Sequence, residues 1–439
     1  MNTIDRRTFL VRSGLGLGTA LLSGQLLPLS ATSAAEAPQS SPDWQAVRGQ
    51  FPLAPDLIHL AGFFLASHPT PVRQAIERHR GGLDADPIGY WLAHEKKQEA
   101  AVLQAAAGYL GVEPTEIALT DSTTMGLGLL YGGLTLKRDQ EILTTTHDHY
   151  STETSLRLRA ERTGATVRRI SLYEDVRRAS QESLVQTLAK EIRPQTRIVA
   201  ATWVHSSTGL KLPIAEMARA IQKLNASRAE EDRVIFCVDG VHALGVEDFR
   251  LSEVGCDFLI AGTHKWLFGP RGTGLVWGHP RAWPIANAII PTFDSEAYDI
   301  WMKVIPPRPL PPSVYMTPGG FHSFEHRWAL DQAFIFHQNL GKSRVTKRIH
   351  ELNDQLKEGL KTMPHVTLHT PLSRELSAGI VCFEIAGFSP DQVVAELRRR
   401  TIVASVTPYA TQYARVAPGL LNTPAEIETV LKEIRTLTG

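Results

Sequence analysis

Two residues with chemically useful side chains stand just past successive apolar runs. Residues 234–238 are followed by Asp239-Gly-Val-His242, and residues 258–261 by Gly262-Thr-His-Lys265-Trp-Leu-Phe-Gly-Pro-Arg-Gly-Thr-Gly274. A lysine that leaves an apolar strand and runs into Trp266, Leu267 and Phe268 sits where burial disfavours its charged form, which lowers its pKa and frees a nucleophilic amine suited to Schiff-base chemistry. A carboxylate at a neighbouring strand end suits the next requirement, a negative charge that keeps a ring nitrogen protonated so that the ring can draw electrons from a substrate carbon. Spacing by itself equally allows a lysine–aspartate ion pair at a sheet edge.

The elements that must position these residues are legible as short β-branched runs at 117–120, 141–144, 197–202, 234–238, 258–261 and 274–277, alternating with helix-like segments. That pattern predicts an α/β domain with a mainly parallel sheet, in which ligands bind outside the carboxyl ends of the strands. The Pro- and Gly-rich stretch 301–320 predicts an ordered surface loop. A helical pattern over 326–361 leads to a smaller α+β unit with strands near 366–370, 379–386 and 401–406. Ser389-Pro-Asp-Gln392 and Thr423-Pro-Ala-Glu426 are capping boxes with Pro at the first helical position. The expected division is an arm and large domain over 36–335 and a small domain over 336–439. The chain of 439 residues carries 46 Lys and Arg against 45 acids, so it has no basic field for nucleic acid or an anionic membrane, and a small molecule is the expected partner.

Residues 1–35 read as an export signal. Arg6-Arg7 is followed by Thr8, Phe9 and Leu10, then by a Gly- and Leu-rich apolar stretch ending at Ser33-Ala34-Ala35. The arginine pair resembles a twin-arginine signal, although Asp5 stands where Ser or Thr is usual; a Sec signal with a basic start is the other reading. The expected location is the periplasm, reached folded through the twin-arginine translocase, with no membrane anchor. Gly14 to Gly18 mimics a dinucleotide loop but follows no strand. Three cysteines, Cys237, Cys256 and Cys382, are too few for a disulfide framework.

The order and spacing of the 238–245 and 261–274 segments resemble fold-type-I enzymes dependent on pyridoxal 5′-phosphate, specifically the class-V aminotransferase group that contains cysteine desulfurases and isopenicillin N epimerase-like proteins. The resemblance covers nearly the whole chain after the signal and implies a large domain with a seven-stranded type of sheet plus a small α+β C-terminal domain. It makes Lys265 the cofactor-bearing lysine, Asp239 the partner of the ring nitrogen and His242 a neighbour of the ring substituents. Ser122, Thr123 and Thr124, after a strand and before a helix, become the phosphate cradle, with His264 reaching the same phosphate; without a ligand they are a helix cap. Tyr150 is expected to stack on the cofactor, with His149 the second choice; a metal site from His147 and His149 lacks further ligand spacing. In 203–209 an Asn is usual for the cofactor hydroxyl, and only His205 or Ser206 is available. The segment 316–322, with Gly320, resembles the piece that a second subunit lends to the phosphate, implying a homodimer; a plain Gly-Pro turn is the alternative. Arg415 matches the arginine that forks onto a substrate carboxylate.

Residues 402–409 contain no cysteine, so the persulfide carrier of a desulfurase is missing. Among exported members, the sequence resembles the periplasmic enzymes that tailor pyoverdine siderophores. That likeness implies transamination of a siderophore's side-chain glutamate to α-ketoglutaryl, or its conversion to succinamide. An epimerase or lyase, and a non-catalytic periplasmic binding protein, are the competing functions; the latter would not need Lys265 and Asp239 together.

Overall fold

A computed structural model describes residues 42–437; the expected export signal, Arg6 and Arg7 included, lies outside the described residues. The central sheet has seven strands: β1 (Ile117–Thr120), β2 (Glu141–Thr145), β3 (Thr166–Ile170), β4 (Thr196–Thr202), β5 (Ile235–Asp239), β6 (Phe258–Gly262) and β7 (Gly274–Gly278). Their spatial order is β1-β7-β6-β5-β4-β2-β3. β7 runs antiparallel to both neighbours, and the remaining pairs are parallel.

The strands read as continuous apolar runs because both faces are covered. Successive residues divide between two cores: Val199, Ala201, Phe236, Val238, Leu259 and Ala261 pack on one face, and Ile198, Ala200, Ile235, Cys237, Phe258 and Ile260 on the other. β3 escapes the sequence pattern. It is an edge strand whose Arg168 reaches Glu141 at 2.8 Å and Glu191 at 2.6 Å, so one flank is polar where an inner strand would be apolar.

The small domain carries an antiparallel sheet of β8 (Val366–Leu368), β9 (Val381–Ile385), β10 (Ser405–Val406) and β11 (Ala414–Val416), in the order β10-β11-β9-β8. Helices Lys342–Lys361, Pro390–Arg399 and Pro424–Arg435 bury Leu352, Leu356, Val393, Leu397, Ile427 and Val430 in its core with Val381 and Phe383. Both expected capping boxes form, each with reciprocal bonds between the cap and the third helical residue.

Three features differ from the sequence expectation. The pattern over 326–361 is broken into Phe324–Trp328, Leu330–Leu340 and Lys342–Lys361, the last break falling at Gly341, whose φ of 84° no helix accommodates. The stretch 301–320 contains a short helix, Pro312–Met316. The N-terminal segment does not pack only with the large domain: Ile58–His59 pairs in parallel with Ile402 and Val403, and Leu60 lies in the small-domain core, so the chain crosses between domains before the large sheet begins. No helix among the described residues is long and apolar enough to cross a membrane.

Candidate active site

β5 and β6 pair in parallel with Asp239 opposite Ile260, so the loops after them leave the same edge of the sheet side by side. The Asp239 carboxylate is buried and accepts the Val241 N–H at 3.1 Å. Burial pushes its pKa up to about 6, while the Val241 bond and the Lys265 charge pull the other way. Burial likewise lowers Lys265 to about 8, opposed by Asp239 and assisted by Arg415. The ion pair that spacing allowed is absent; the polar neighbour of Lys265 Nζ is His242 Nε2 at 3.5 Å.

The hydrogen bonds assign the His242 tautomer. Trp266 Nε1 lies 3.4 Å from His242 Nδ1, and an indole N–H can only donate. Burial, with the Lys265 and Arg415 charges, holds the imidazole well below its ordinary pKa, so it is neutral. Nδ1 is therefore the acceptor, and Nε2 carries the proton toward the Lys265 amine. Gly245 lets Trp266 sit there: its φ is 87°, and a Cβ would stand 2.7 Å from the Trp266 carbonyl carbon.

At the end of β1, Ser122 caps helix Thr123–Gly133 by accepting the Met125 N–H at 3.1 Å. Thr123 Oγ1 accepts the Gly262 N–H at 2.7 Å, and Thr124 Oγ1 pairs with the Ser151 hydroxyl at 3.1 Å. Gly262 permits this approach, since a Cβ there would lie 2.9 Å from Thr123 Oγ1 and 3.0 Å from the His264 ring. His264 Nδ1 is buried with no hydrogen-bond partner among the described residues. Helix-end amides, hydroxyls and a partnerless imidazole nitrogen thus converge as an anion site.

The structure separates the two candidate stacking rings. Tyr150 opens helix Tyr150–Thr163 and is 71% exposed, so it points away from the site in its own chain. His149 caps that helix, its Nδ1 accepting the Ser151 N–H at 3.2 Å, and burial together with the charges of Lys265 and Arg415 lowers its pKa. Of the two rings, His149 is the one on the side of the site, 6.2 Å from the Tyr409 ring and close enough for the Lys265 charge to act on it. His147 instead stacks on Tyr173, ring centroids 3.9 Å apart, and no cluster of three metal-ligating residues occurs among the described residues.

Ser206 is already engaged: its hydroxyl lies 2.7 Å from the Tyr409 hydroxyl, and its carbonyl accepts from Arg415 at 2.9 Å. His205 is fully buried, with Nδ1 3.2 Å from Tyr173 and Nε2 partnerless. Arg415, on β11, is 3% exposed and donates from Nε to Ser405 Oγ at 3.1 Å and from Nη2 to the Val406 carbonyl at 3.4 Å. It has no carboxylate partner among the described residues. Gly320 stays apart from this cluster: a Cβ there would meet nothing within 4 Å, and the adjacent Phe321 is 84% exposed.

Sequence reasoning missed three contributors. Asp148 is buried and accepts from Thr144 and Thr145 of β2 and from the Thr202 N–H of β4 at 2.7 Å, tying these strand ends together. Tyr409 and Phe63 reach the site from the small domain and the N-terminal segment. Only the position of Asp148 just past a strand signalled any of them.

These residues fit one group: an amine of lowered pKa, a buried carboxylate at the neighbouring strand end and an anion site with an unfilled imidazole nitrogen. They fit an enzyme of fold type I that uses pyridoxal 5′-phosphate: Lys265 would carry it, Asp239 would face its ring nitrogen, and Ser122, Thr123, Thr124 and His264 would hold its phosphate. The Aminotransferase class-V profile matches residues 93–414, and the chain belongs to that family. Isopenicillin N epimerase of Streptomyces clavuligerus is 27% identical over 415 residues, covering 90% of this chain and 99% of that protein. A probable cysteine desulfurase of Halalkalibacterium halodurans is 26% identical over 336 residues, 72% of this chain and 76% of that protein. A mutant of C-DES with glycine covalently linked to the PLP cofactor shares the fold with a TM-score of 0.80 at 22% identity, covering 91% of this chain and 100% of that one.

Two outcomes follow for the cofactor residues. The reactive form of Lys265 is the neutral amine, so the rate at which cofactor-free protein develops visible absorbance with added pyridoxal phosphate should rise with pH and level off above about 8. A rate still climbing toward about pH 10, as for an ordinary lysine, would contradict the depressed pKa; Lys265→Ala should develop no such absorbance. Asp239→Asn should stay folded by circular dichroism while turnover falls roughly 100-fold or more, because an amide cannot hold a protonated ring nitrogen. Near-normal turnover would remove Asp239 from that role.

Proposed function

We propose that the protein is an aminotransferase that acts in the periplasm on a substrate bearing a free α-amino acid group, the side-chain glutamate of a pyoverdine siderophore. The reading rests on one observation above the rest, the buried Arg415 guanidinium with only uncharged partners. A cation kept from water without a counter-ion is a receptor for a carboxylate, and a guanidinium grips one with two parallel hydrogen bonds.

Pyridoxal phosphate supplies an electron sink that acidifies the substrate α-carbon. The chain supplies the proton handling. Lys265 would serve as the base for the α-proton, and the His242 Nε2–H, 3.5 Å from its Nζ, steadies the neutral amine. Asp239 holds the proton on the ring nitrogen. His149 cannot serve as a second base, since its Nδ1 already accepts the Ser151 N–H and its Nε2 therefore bears the proton. With His149 so occupied, Lys265 is the base that would handle the α-proton, an arrangement that favours transamination over inversion at the α-carbon, the activity named for the Streptomyces relative. Desulfuration is disfavoured because Cys237, Cys256 and Cys382 are all buried, and burial pushes the Cys382 thiol up to about 12. The exposed Phe321 beside Gly320, with Phe293 and Trp301, is an apolar surface that a second copy would cover while bringing Gly320 to its partner's phosphate site, so the active unit is a homodimer.

L-glutamate should perturb the visible absorbance of the holoenzyme, and Arg415→Lys should keep that absorbance while catalytic efficiency falls roughly tenfold to a thousandfold, a loss of about 1.5–4 kcal/mol. Wild-type efficiency in Arg415→Lys, or loss of cofactor, would remove the carboxylate role. For substrate and location, mass spectrometry of a strain lacking the gene should find siderophore that retains its side-chain glutamate. Export should fail when Arg6 and Arg7 are both changed to Lys, leaving a cytosolic precursor with cofactor bound. A siderophore identical to that of the parent strain, or efficient export of the double variant, would refute the respective assignment.

A further inference from the structure

Arg415 poses a physical problem that hydrogen bonds alone do not solve. A guanidinium has five N–H donors, and three are engaged: Nε by Ser405 Oγ at 3.1 Å, one on Nη1 by the Ser206 carbonyl at 2.9 Å and one on Nη2 by the Val406 carbonyl at 3.4 Å. One N–H remains on each terminal nitrogen. All three acceptors are neutral, so when no substrate is bound the positive charge is offset by something else. Phe63 provides it. Its ring is 1% exposed and lies with its centroid 4.5 Å from Arg415 Cζ, the distance at which an aromatic quadrupole attracts a cation. The same ring stands 6.1 Å from the His242 ring and 6.4 Å from Trp266, the pair that orients the Lys265 amine.

The segment carrying Phe63 is pinned at both ends. Leu60 donates to the Val403 carbonyl at 3.0 Å and accepts the Ala417 N–H at 2.7 Å, which ties it to the small domain on either side of Arg415. Ala66 donates to the carbonyl of His264, the residue before the lysine, at 3.3 Å. The segment therefore spans from the arginine strand to the lysine loop, with Phe63 between them.

We propose that Phe63 is a positioning residue for substrate recognition: its π face takes the place of a counter-ion beneath Arg415, holding the guanidinium charged and flat with its outward fork open for the substrate carboxylate. A carboxylate side chain in that position would neutralise Arg415 and compete with substrate; an aliphatic one would leave the cation free to tilt. The proposal rests on Arg415 being the carboxylate-binding residue.

The test uses holoenzyme with L-glutamate as probe. Phe63→Leu should raise KM about 5- to 30-fold, the range of a desolvated cation–π contact, with kcat, cofactor affinity and visible absorbance little changed; Phe63→Trp should restore KM toward wild type. Because Phe63→Leu could disturb packing, a second series places progressively fluorinated phenylalanines at position 63, which weaken the quadrupole at nearly constant shape, and KM should rise with each fluorine. A KM indifferent to fluorination, or a Phe63→Leu defect that falls equally on kcat and cofactor binding, would reduce Phe63 to a packing residue and overturn the proposal. Arg415→Lys assayed alongside separates the two levels. If it weakens glutamate binding while the Phe63 series does not, only the Phe63 proposal fails; if it leaves KM unchanged, the carboxylate reading of Arg415 fails as well.

Discussion

The site depends on excluding water from two cationic side chains without giving either a direct ion pair. Desolvation disfavours charge, and the two side chains respond differently because their intrinsic basicities differ. Lys265 can shed its proton, so burial brings its pKa to about 8 and leaves a usable amine. Arg415 keeps its charge and lies among carbonyl and hydroxyl dipoles and against the Phe63 ring, which is the basis for proposing it as a receptor for a carboxylate. A carboxylate placed directly on either one would cancel the property that makes it useful; Asp239 acts on Lys265 only from a distance.

The fold supplies this environment from three directions. The parallel sheet delivers Asp239 and Lys265 from adjacent strand ends, and Trp266 behind Gly245 sets the proton of His242 toward the amine. The small domain brings Arg415 and Tyr409, which meet at the large-domain Ser206 through its carbonyl and hydroxyl. The N-terminal segment crosses between the two and inserts Phe63. A change in how the domains sit would therefore be felt first at Ser206 and Phe63, the two points through which Arg415 is held to the large domain and the lysine loop.

Membership of the class-V family leaves reaction type open, since relatives bear names as different as epimerase and desulfurase. The discriminating features here are negative ones at particular atoms: no accessible thiol, and a His149 nitrogen already occupied by its helix cap. Such features are decided by hydrogen bonding and burial, and residue type alone does not carry them.

The sequence by itself determined the α/β class, six of the seven central strands, both capping boxes and the placement of Asp239 and Lys265 just past neighbouring strand ends, because buried parallel strands are locally apolar and the loops after them open on a common edge. It did not reveal β3, whose arginines interrupt the apolar pattern, nor the breaks that divide 326–361, where the helical periodicity continues through a glycine of positive φ. Only the tertiary structure chose His149 over Tyr150, engaged Ser206 while leaving His205 Nε2 unpartnered, removed the Lys265–Asp239 ion pair and set Phe63 beneath Arg415. Those outcomes turn on which way a side chain faces and what stands 352 residues away along the chain, as Arg415 does from Phe63. Local periodicity encodes burial, whereas long-range contacts are fixed only when the domains pack.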